Sequence, residues 1–528
     1  MSDTTEPSAR ADQAPGAQTT PADPKAGGLP TGGSAKPAAQ TPATEPTDDL
    51  VTTRHTVKAG RRTLRYTAHT GRIVLREEVY EDGAFTGHTA KAEVSVTAYT
   101  LDGAKPAGPG ARPVTFAFNG GPGSSSVWLH LGLLGPRRVV MGDAGALLPP
   151  PYALADNAQT LLAQSELVFI DPVSTGYSRA VKGGKTAAYH GYSGDIESVA
   201  EVIRLWTSRH ERWMSPKFLI GESYGTLRAA ALADHLQSRY GMYLNGVILV
   251  SAVLDLASLD FEGQRNDRAH AAYLPLYAAV AHFHGKHPGR TVEEVVAEAE
   301  AYAARDYPWA LSRTGLLTAA ERAEVVATVA RLAGLAPDYV ERAELRIEHQ
   351  RFFAELLRDQ RLTVGRLDAR FTGPAANSIA ELAEVDPSFD AIVGPYAAAM
   401  NHYVRAELGY RSDLHYEQLS PRVHPWSFKE FEGKPVDVSP RLEQAMRSNP
   451  HLQVHVAYGL YDGATPPAAA ADVFARMRLT AEQRGRIEHR YYPAGHMMYV
   501  HTPSLLQLKA DLAAFYSWTL VDDDGGAS

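Results

Sequence analysis

The sequence predicts an α/β fold: a mainly parallel sheet flanked by helices, led in by antiparallel strands and interrupted by a helical cap insertion. Three observations carry this expectation. Short apolar runs alternate with amphipathic helical stretches up to about residue 256 and again over 427–522, the pattern of strands buried on both faces. Ahead of them, from about residue 50 to 105, β-branched and aromatic residues alternate roughly and are cut by Gly and Asp-Gly, which reads as antiparallel strands. Between the two blocks, residues 257–426 read as mostly helical.

Each element follows from local chemistry. Residues 1–49 are rich in Pro, Ala, Thr, Gly and Asp with few large apolar side chains; such a segment cannot bury enough surface to offset its ordering entropy and is expected to be disordered. "EDGAF" marks a hairpin turn. "VTFAFNG" is a strand ending in glycines, and "SELVFIDP" a second strand ended by Pro172. "SGDIESVAEVIRLWTSRH" places Ile196, Val199, Ile203 and Leu205 at helical spacing. "KFLIGESYG" is a strand, "TLRAAALADHLQSRY" a helix and "LNGVILVSAV" another buried strand. After the insertion come helix "SPRLEQAMRSN", strand "LQVHVAYG", helix "PAAAADVFARMR", strand "RIEHRYYP" and helix "PSLLQLKADLAAFYSWTL". Ligands of such sheets bind at the carboxyl ends of the strands, where the insertion would roof them.

The bulk numbers remove several function classes. A net charge of −8 over 528 residues argues against nucleic acid as a partner. The absence of cysteine excludes disulfides, thiolate metal sites and cysteine nucleophiles. No apolar run reaches the roughly 18 residues of a membrane span, so no membrane partner is expected. The N-terminus has no basic region followed by an apolar one, so a cytoplasmic location is expected. No motif calls for a metal or cofactor, and formation of a homo-oligomer is left open.

Ser223 lies in G-x-S-x-G, after the apolar run Phe218-Leu219-Ile220 and before a helix. Strand, G-x-S-x-G, helix is the nucleophile elbow of α/β-hydrolases, where the sharp turn lifts the serine above the sheet. A serine hydroxyl needs a base, and the base needs an orienting acid, in the chain order Ser, Asp or Glu, His. His496, beside Gly495 just after the strand 486–492, is the expected base; His501, close behind, reads as part of the cap of the last helix. Asp462 lies between the preceding strand and the Pro-Pro that opens a helix, and is the expected acid. Backbone donors for an oxyanion are expected from Tyr224, next to the serine, and from Gly121 in the glycine-rich loop after "VTFAF".

These motifs together resemble the serine carboxypeptidases. "NGGPGSSS" is similar to the family's glycine loop, with Ser124 where Cys is usual in its eukaryotic members; "GESYG" resembles its nucleophile motif, "GLYDGATP" its acid loop and "GHMM" its histidine loop. "FIDPVSTGYS" is also similar to a family segment, and the resemblance extends over roughly residues 60–520. It implies hydrolysis of the last peptide bond of a peptide or protein, with Asn119, Gly120, Glu222 and Met497 on the substrate and no cofactor. The resemblance further assigns Asn119 and Glu222 to the terminal carboxylate. A buried Glu has a raised pKa, and two carboxyl groups hydrogen-bond only while one is protonated, so such binding weakens as pH rises.

The sequence departs from the family in two respects. Counting without gaps, "LLGP" puts Leu133 where many members carry a second Glu. An arginine of the insertion, or Arg137 or Arg138, is the expected compensation. Lacking Cys, the chain must hold its insertion by packing alone. The same scaffold also serves esterases and acyltransferases, whereas a catalytically inactive binding protein would need none of Ser223, Asp462, His496 and Gly121.

Overall fold

One sheet of ten strands organises the chain. Three long strands, β1 (Asp49–Ala59), β2 (Arg62–Glu81) and β3 (Ala84–Leu101), form its antiparallel side. β4 (Val114–Phe118) follows; β5 (Arg137–Val139) and β6 (Leu154–Asp156) make a separate small hairpin. β7 (Glu166–Ile170), the two-residue β8 (Arg179–Ala180), β9 (Lys217–Glu222) and β10 (Gly246–Val250) come next. β11 (Leu362–Val364) and β12 (Thr372–Pro374) pair apart from the sheet, and β13 (Gln453–Gly459) and β14 (Ile487–Tyr492) complete it. The order is β1-β2-β3-β7-β4-β9-β10-β13-β14, with β8 on β3. From β7 to β14 all neighbours are parallel.

This computed structural model describes residues 45–520 except 106–107, 109–110, 145–146 and 263–265. The disorder expected for residues 1–49 therefore falls, up to residue 44, outside the described residues. From Pro46 the chain is bonded to the fold: the Pro46 carbonyl accepts from Arg76 and Asp48 accepts from the Val74 amide and from Arg209. The Asp-Gly turn joins β2 to β3 through Asp82 and Gly83, both at positive φ (51° and 81°), the geometry that two-residue hairpin turns require.

The helices are α1 (Val127–Leu129), α2 (Tyr192–Arg209), α3 (Tyr224–Tyr240), α4 (Asp267–Phe283), α5 (Val292–Ala304), α6 (Asp306–Ser312), α7 (Ala319–Ala333), α8 (Pro337–Arg342), α9 (His349–Glu355) and α10 (Pro387–His402). Returning to the sheet, they are α11 (Ser439–Ser448), α12 (Pro467–Arg476), α13 (Ala481–Arg484) and α14 (Thr502–Thr519). Capping boxes start α5 and α7, where Thr291 and Thr318 exchange bonds with Glu294 and Glu321. Among the described residues no helix is long and apolar enough to cross a membrane.

Strand periodicity divides the core. On β9, Phe218 and Ile220 face one apolar cluster and Leu219 the other; on β10, Ile248 and Val250 oppose Val247 and Leu249. A third cluster joins α4, α7 and α9 and takes in Tyr461, just past β13. After α10 the chain has no further α-helix before α11. It runs back along the sheet, bridging Leu419 to Ser124, Glu417 to Gly176 and Ser427 to Gly191.

Arg228 of α3 is wholly buried. Its Nε donates to Asp195 Oδ2 of α2 at 2.8 Å and its Nη1 to the Asn119 carbonyl at 2.6 Å. The guanidinium also lies over the rings of Phe118 and Tyr224. Removing one partner of such a pair strands the other in the core. Asp195→Ala is therefore expected to lower the unfolding free energy by about 3–5 kcal/mol in urea denaturation, and Asp195→Leu combined with Arg228→Met to recover most of that loss.

Candidate active site

The carboxyl ends of the parallel strands lead into Asn119, Gly120, Gly121, Glu222, Ser223, Tyr224, Asp462, His496 and Met497, whereas Leu133 lies in the helical turn after α1 and Arg137 and Arg138 on β5. β4 lies between β7 and β9, the strands that precede and follow the change of direction in the sheet, and crevices form at such a switch. At the end of β9 the chain turns through Ser223, whose φ of 59° and ψ of −130° lie where a non-glycine residue costs about 1–3 kcal/mol. The turn is held by its backbone: Ser223 N–H donates to Val250 O at 3.0 Å, and Ser223 O accepts from Thr226 N–H at 2.8 Å. Both flanking glycines are enforced, since a Cβ on Gly221 would lie 2.0 Å from Gly225 O and one on Gly225 would lie 2.8 Å from Phe118 O. Ser223 is half-exposed between the buried Glu222 and Tyr224.

The glycine-rich loop after β4 comes against this elbow. A Cβ on Gly120 would sit 2.4 Å from the Tyr224 nitrogen, so only glycine lets the loop approach the first turn of α3. Ser124 N–H closes the loop onto Gly120 O at 3.0 Å. Gly121 lies within that closed turn at a φ of 100°.

Asp462 and His496 meet at the ends of β13 and β14. His496 Nδ1 is 2.8 Å from Asp462 Oδ2. Asp462 is fully buried, and its carboxylate also accepts from the amides of Ala464 and Thr465 and from Thr465 Oγ1. Burial opposes a charge on His496, but the charge and hydrogen bond of Asp462, and the charge of Glu222, raise its pKa above 6.5. His501 is engaged elsewhere, with Nδ1 2.8 Å from Ser504 Oγ in the first turn of α14.

Glu222 is buried and doubly bonded: Asn119 Nδ2 donates to Oε1 at 2.8 Å and Tyr499 Oη to Oε2 at 2.6 Å. Burial pushes its carboxyl up to about 7, against the pull of His496 and of these two donors. Asn119 Oδ1 in turn accepts from Leu129 N–H. Met497 is buried and lines a small pocket with Leu367, Phe371, Ile392 and Val500. Leu133 is buried in the apolar cluster that also holds Met497 and Tyr499.

Sequence reasoning missed several residues. Ser251, just past β10 at a φ of 53°, donates through Oγ to the His496 carbonyl at 2.7 Å and accepts at its own carbonyl from Thr465 Oγ1 at 3.1 Å. The segment 366–369 fastens both later loops. Leu367 O accepts from His496 N–H, Arg366 O from Gly463 N–H, and Asp368 Oδ2 from Gly495 N–H, while Ala369 N–H donates to Tyr461 O. Nothing in the sequence marks Ser251 or this segment. Arg228 did leave a signal, as a charge inside an Ala/Leu-rich helix. Among the described residues no group of three or more His, Asp or Glu is placed to hold a metal ion.

Comparison with known proteins agrees with this architecture. Residues 99–273 match the sequence model of the serine carboxypeptidase family. The match spans the glycine loop and the elbow and ends before the Asp462 and His496 loops. Kex1(delta)p, a prohormone-processing carboxypeptidase from Saccharomyces cerevisiae, superposes with a TM-score of 0.50 at 15% identity, covering 87% of this chain and 93% of that one. A proline iminopeptidase from Mycobacterium smegmatis gives 0.34 at 12% identity, covering 88% and 98%. An esterase from Thermogutta terrifontis gives 0.32 at 13% identity, covering 85% and 100%. The fold is that of the α/β-hydrolases, and the family match itself is confined to residues 99–273.

The Glu222 carboxyl gives a pH test of the site. Between the ordinary glutamate pKa of 4.5 and about 7, the unfolded chain has released this proton while the folded chain keeps it, so stability falls as pH rises through that window. Glu222→Gln has no such proton. In urea unfolding the stability of the variant relative to wild type is expected to grow between pH 5 and pH 8.

Proposed function

We propose that this serine carboxypeptidase-type hydrolase cleaves the last peptide bond of its substrates through an acyl-enzyme on Ser223. The observation that carries the reading is the 2.8 Å bond between His496 Nδ1 and the buried Asp462, at the same edge of the sheet as the strained turn at Ser223. With Nδ1 engaged by Asp462, Nε2 is the nitrogen left to take the Ser223 proton.

In this reading Ser223 Oγ attacks the scissile carbonyl carbon as its proton passes to His496 Nε2. The carbonyl oxygen becomes an oxyanion held by the N–H groups of Gly121 and Tyr224, donors fixed before reaction by the close packing of the glycine loop on α3. Asp462 stabilises the imidazolium. The proton then goes to the leaving nitrogen, the C–N bond breaks, and the free amino acid departs. Water, deprotonated by His496, attacks the ester and releases Ser223. Asn119, Gly120, Glu222 and Met497 border the space where the departing residue lies. A second anion entering beside Glu222 is disfavoured once Glu222 is charged.

Two outcomes test this. Ser223→Ala is expected to abolish labelling by a serine-directed phosphonate and to lower kcat/KM by about 10⁴–10⁶. Wild type that takes the label and cleaves simple esters but no free-acid peptide would instead be an esterase or acyltransferase. The second outcome concerns pH. Ester hydrolysis should rise with the deprotonation of His496, at a midpoint above 6.5. Glu222→Gln removes a charge that raises His496, so its midpoint should move down. Over the same range, wild-type kcat/KM for a free-acid peptide should decline relative to its amide as Glu222 ionises near pH 7.

A further inference from the structure

The chain that leaves β10 is bonded to the loops of Ser223, Asp462 and His496 alike. At the end of the strand, Val250 O accepts from Ser223 N–H at 3.0 Å. Thr226, in the first turn of α3, donates through Oγ1 to Ser223 O at 2.7 Å and accepts from Val253 N–H at 2.8 Å. Ser251 N–H donates to Ala457 O of β13 at 2.9 Å, and Ser251 Oγ donates to the His496 carbonyl at 2.7 Å. The carbonyl of Ser251 is 3.1 Å from Thr465 Oγ1. Residues 250–253 therefore tie the nucleophile elbow to the two later loops.

Ser251 stands at a φ of 53°, where glycine is free of strain and serine is not. What serine adds there is a hydroxyl, and that hydroxyl is engaged by the His496 carbonyl. Ser251 is wholly buried, so the bond is shielded from water. Thr465 completes the bracket. Its Oγ1 lies 2.8 Å from Asp462 Oδ2 and 3.3 Å from His496 Nδ1, beside the bond that joins acid to base. A hydroxyl has one hydrogen. Asp462 Oδ2 is nearer than Ser251 O and is charged, so it takes that hydrogen. The positive end of the hydroxyl then faces the acid–base pair and opposes charge on the ring.

We propose that Ser251 and Thr465 are positioning residues for the reaction. Ser251 sets the His496 loop through its hydroxyl, Thr465 sets the Asp462–His496 pair through its own, and residues 250–253 hold both in register with the Ser223 elbow. The assignment rests on the Ser223, Asp462 and His496 chemistry proposed above and not on the peptide substrate. Each of the two acts through a neighbouring member of that group. Their loss therefore changes turnover and its pH dependence while the affinity for substrate stays the same.

The test uses the full chain and a simple ester as substrate. Ser251→Ala and Ser251→Gly should each lower kcat by about 10–100-fold with KM unchanged, and slow phosphonate labelling by a similar factor, in proteins shown to be folded by urea denaturation. Ser251→Gly relieves the strain at this φ, so its loss of turnover is the loss of the hydroxyl. Thr465→Val should raise the pH midpoint of kcat, because one dipole fewer opposes charge on the ring, and Thr465→Ser should hold the wild-type midpoint. The charged groups acting on His496, which are Asp462, Glu222 and Arg366, are the same in all of these proteins. Full kcat in Ser251→Gly, a loss in KM instead of kcat, or one midpoint shared by wild type, Thr465→Val and Thr465→Ser would overturn the positioning role while leaving the proposed reaction intact. Wild type that hydrolyses the ester but no free-acid peptide would remove the carboxypeptidase reading and leave this role standing. Wild type that takes no phosphonate label would remove both.

Discussion

The buried guanidinium of Arg228 holds the site's three nearest elements in one register. It is bonded to Asp195 on α2 and to the carbonyl of Asn119 at the start of the glycine loop, and it leaves α3 one turn beyond Ser223. A charge placed this deep is tolerable only if its donors are fully engaged. The arrangement therefore permits one placement of the loop relative to the elbow. The contacts that depend on this placement are tight: Gly120 against the Tyr224 amide, and Asn119 Nδ2 against Glu222. Arg228 holds the Asn119 carbonyl from beneath the glycine loop, and the strain at Ser223 persists because its surroundings are over-determined.

The other half of the site is fixed from above. Residues 366–369, contributed from between β11 and β12, bond the chain on either side of Asp462 and His496 through main-chain groups and the Asp368 carboxylate. Ser251 joins the same two loops from below, at the end of the strand between β9 and β13. The stretch between α4 and α10 thus does more than cover the sheet. Without it, the His496 amide and the Gly463 and Gly495 amides would each lose a partner. In a cysteine-free protein this positioning rests on hydrogen bonds and packing.

Most of the framework was legible because it rests on local chemistry. Apolar runs with period two announced β9 and β10; Asp-Gly announced the β2–β3 turn; glycines at fixed offsets announced the elbow and the β4 loop. The two later loops were legible because chain order in this fold constrains where an acid and a base can fall. Long-range bonds were not legible. Ser251 looks like any serine after a strand, Thr465 like a turn residue, and Leu367 acts through its carbonyl, which every residue has. Leu133 stands where the family resemblance places a second acid and is buried among apolar side chains, and as its compensation the sequence offered Arg137, Arg138 and any insertion arginine on equal terms.

By itself the sequence determined the parallel sheet, the elbow at Ser223, the glycine loop, and the candidate residues in their order. Each follows from periodicity or from a turn that only certain residues can make, and both are local properties of a chain. The tertiary structure decided which groups are in contact and which are left without partners. It engaged Arg137 with two carboxylates, left Arg138 with none among the described residues, put the Tyr499 hydroxyl on Glu222, and brought Tyr396 from α10 to Gly132 of the core. Burial, desolvation and pairing depend on residues hundreds of positions apart, so the charge state of Glu222 and the neighbours of Arg138 exist only once the chain is folded.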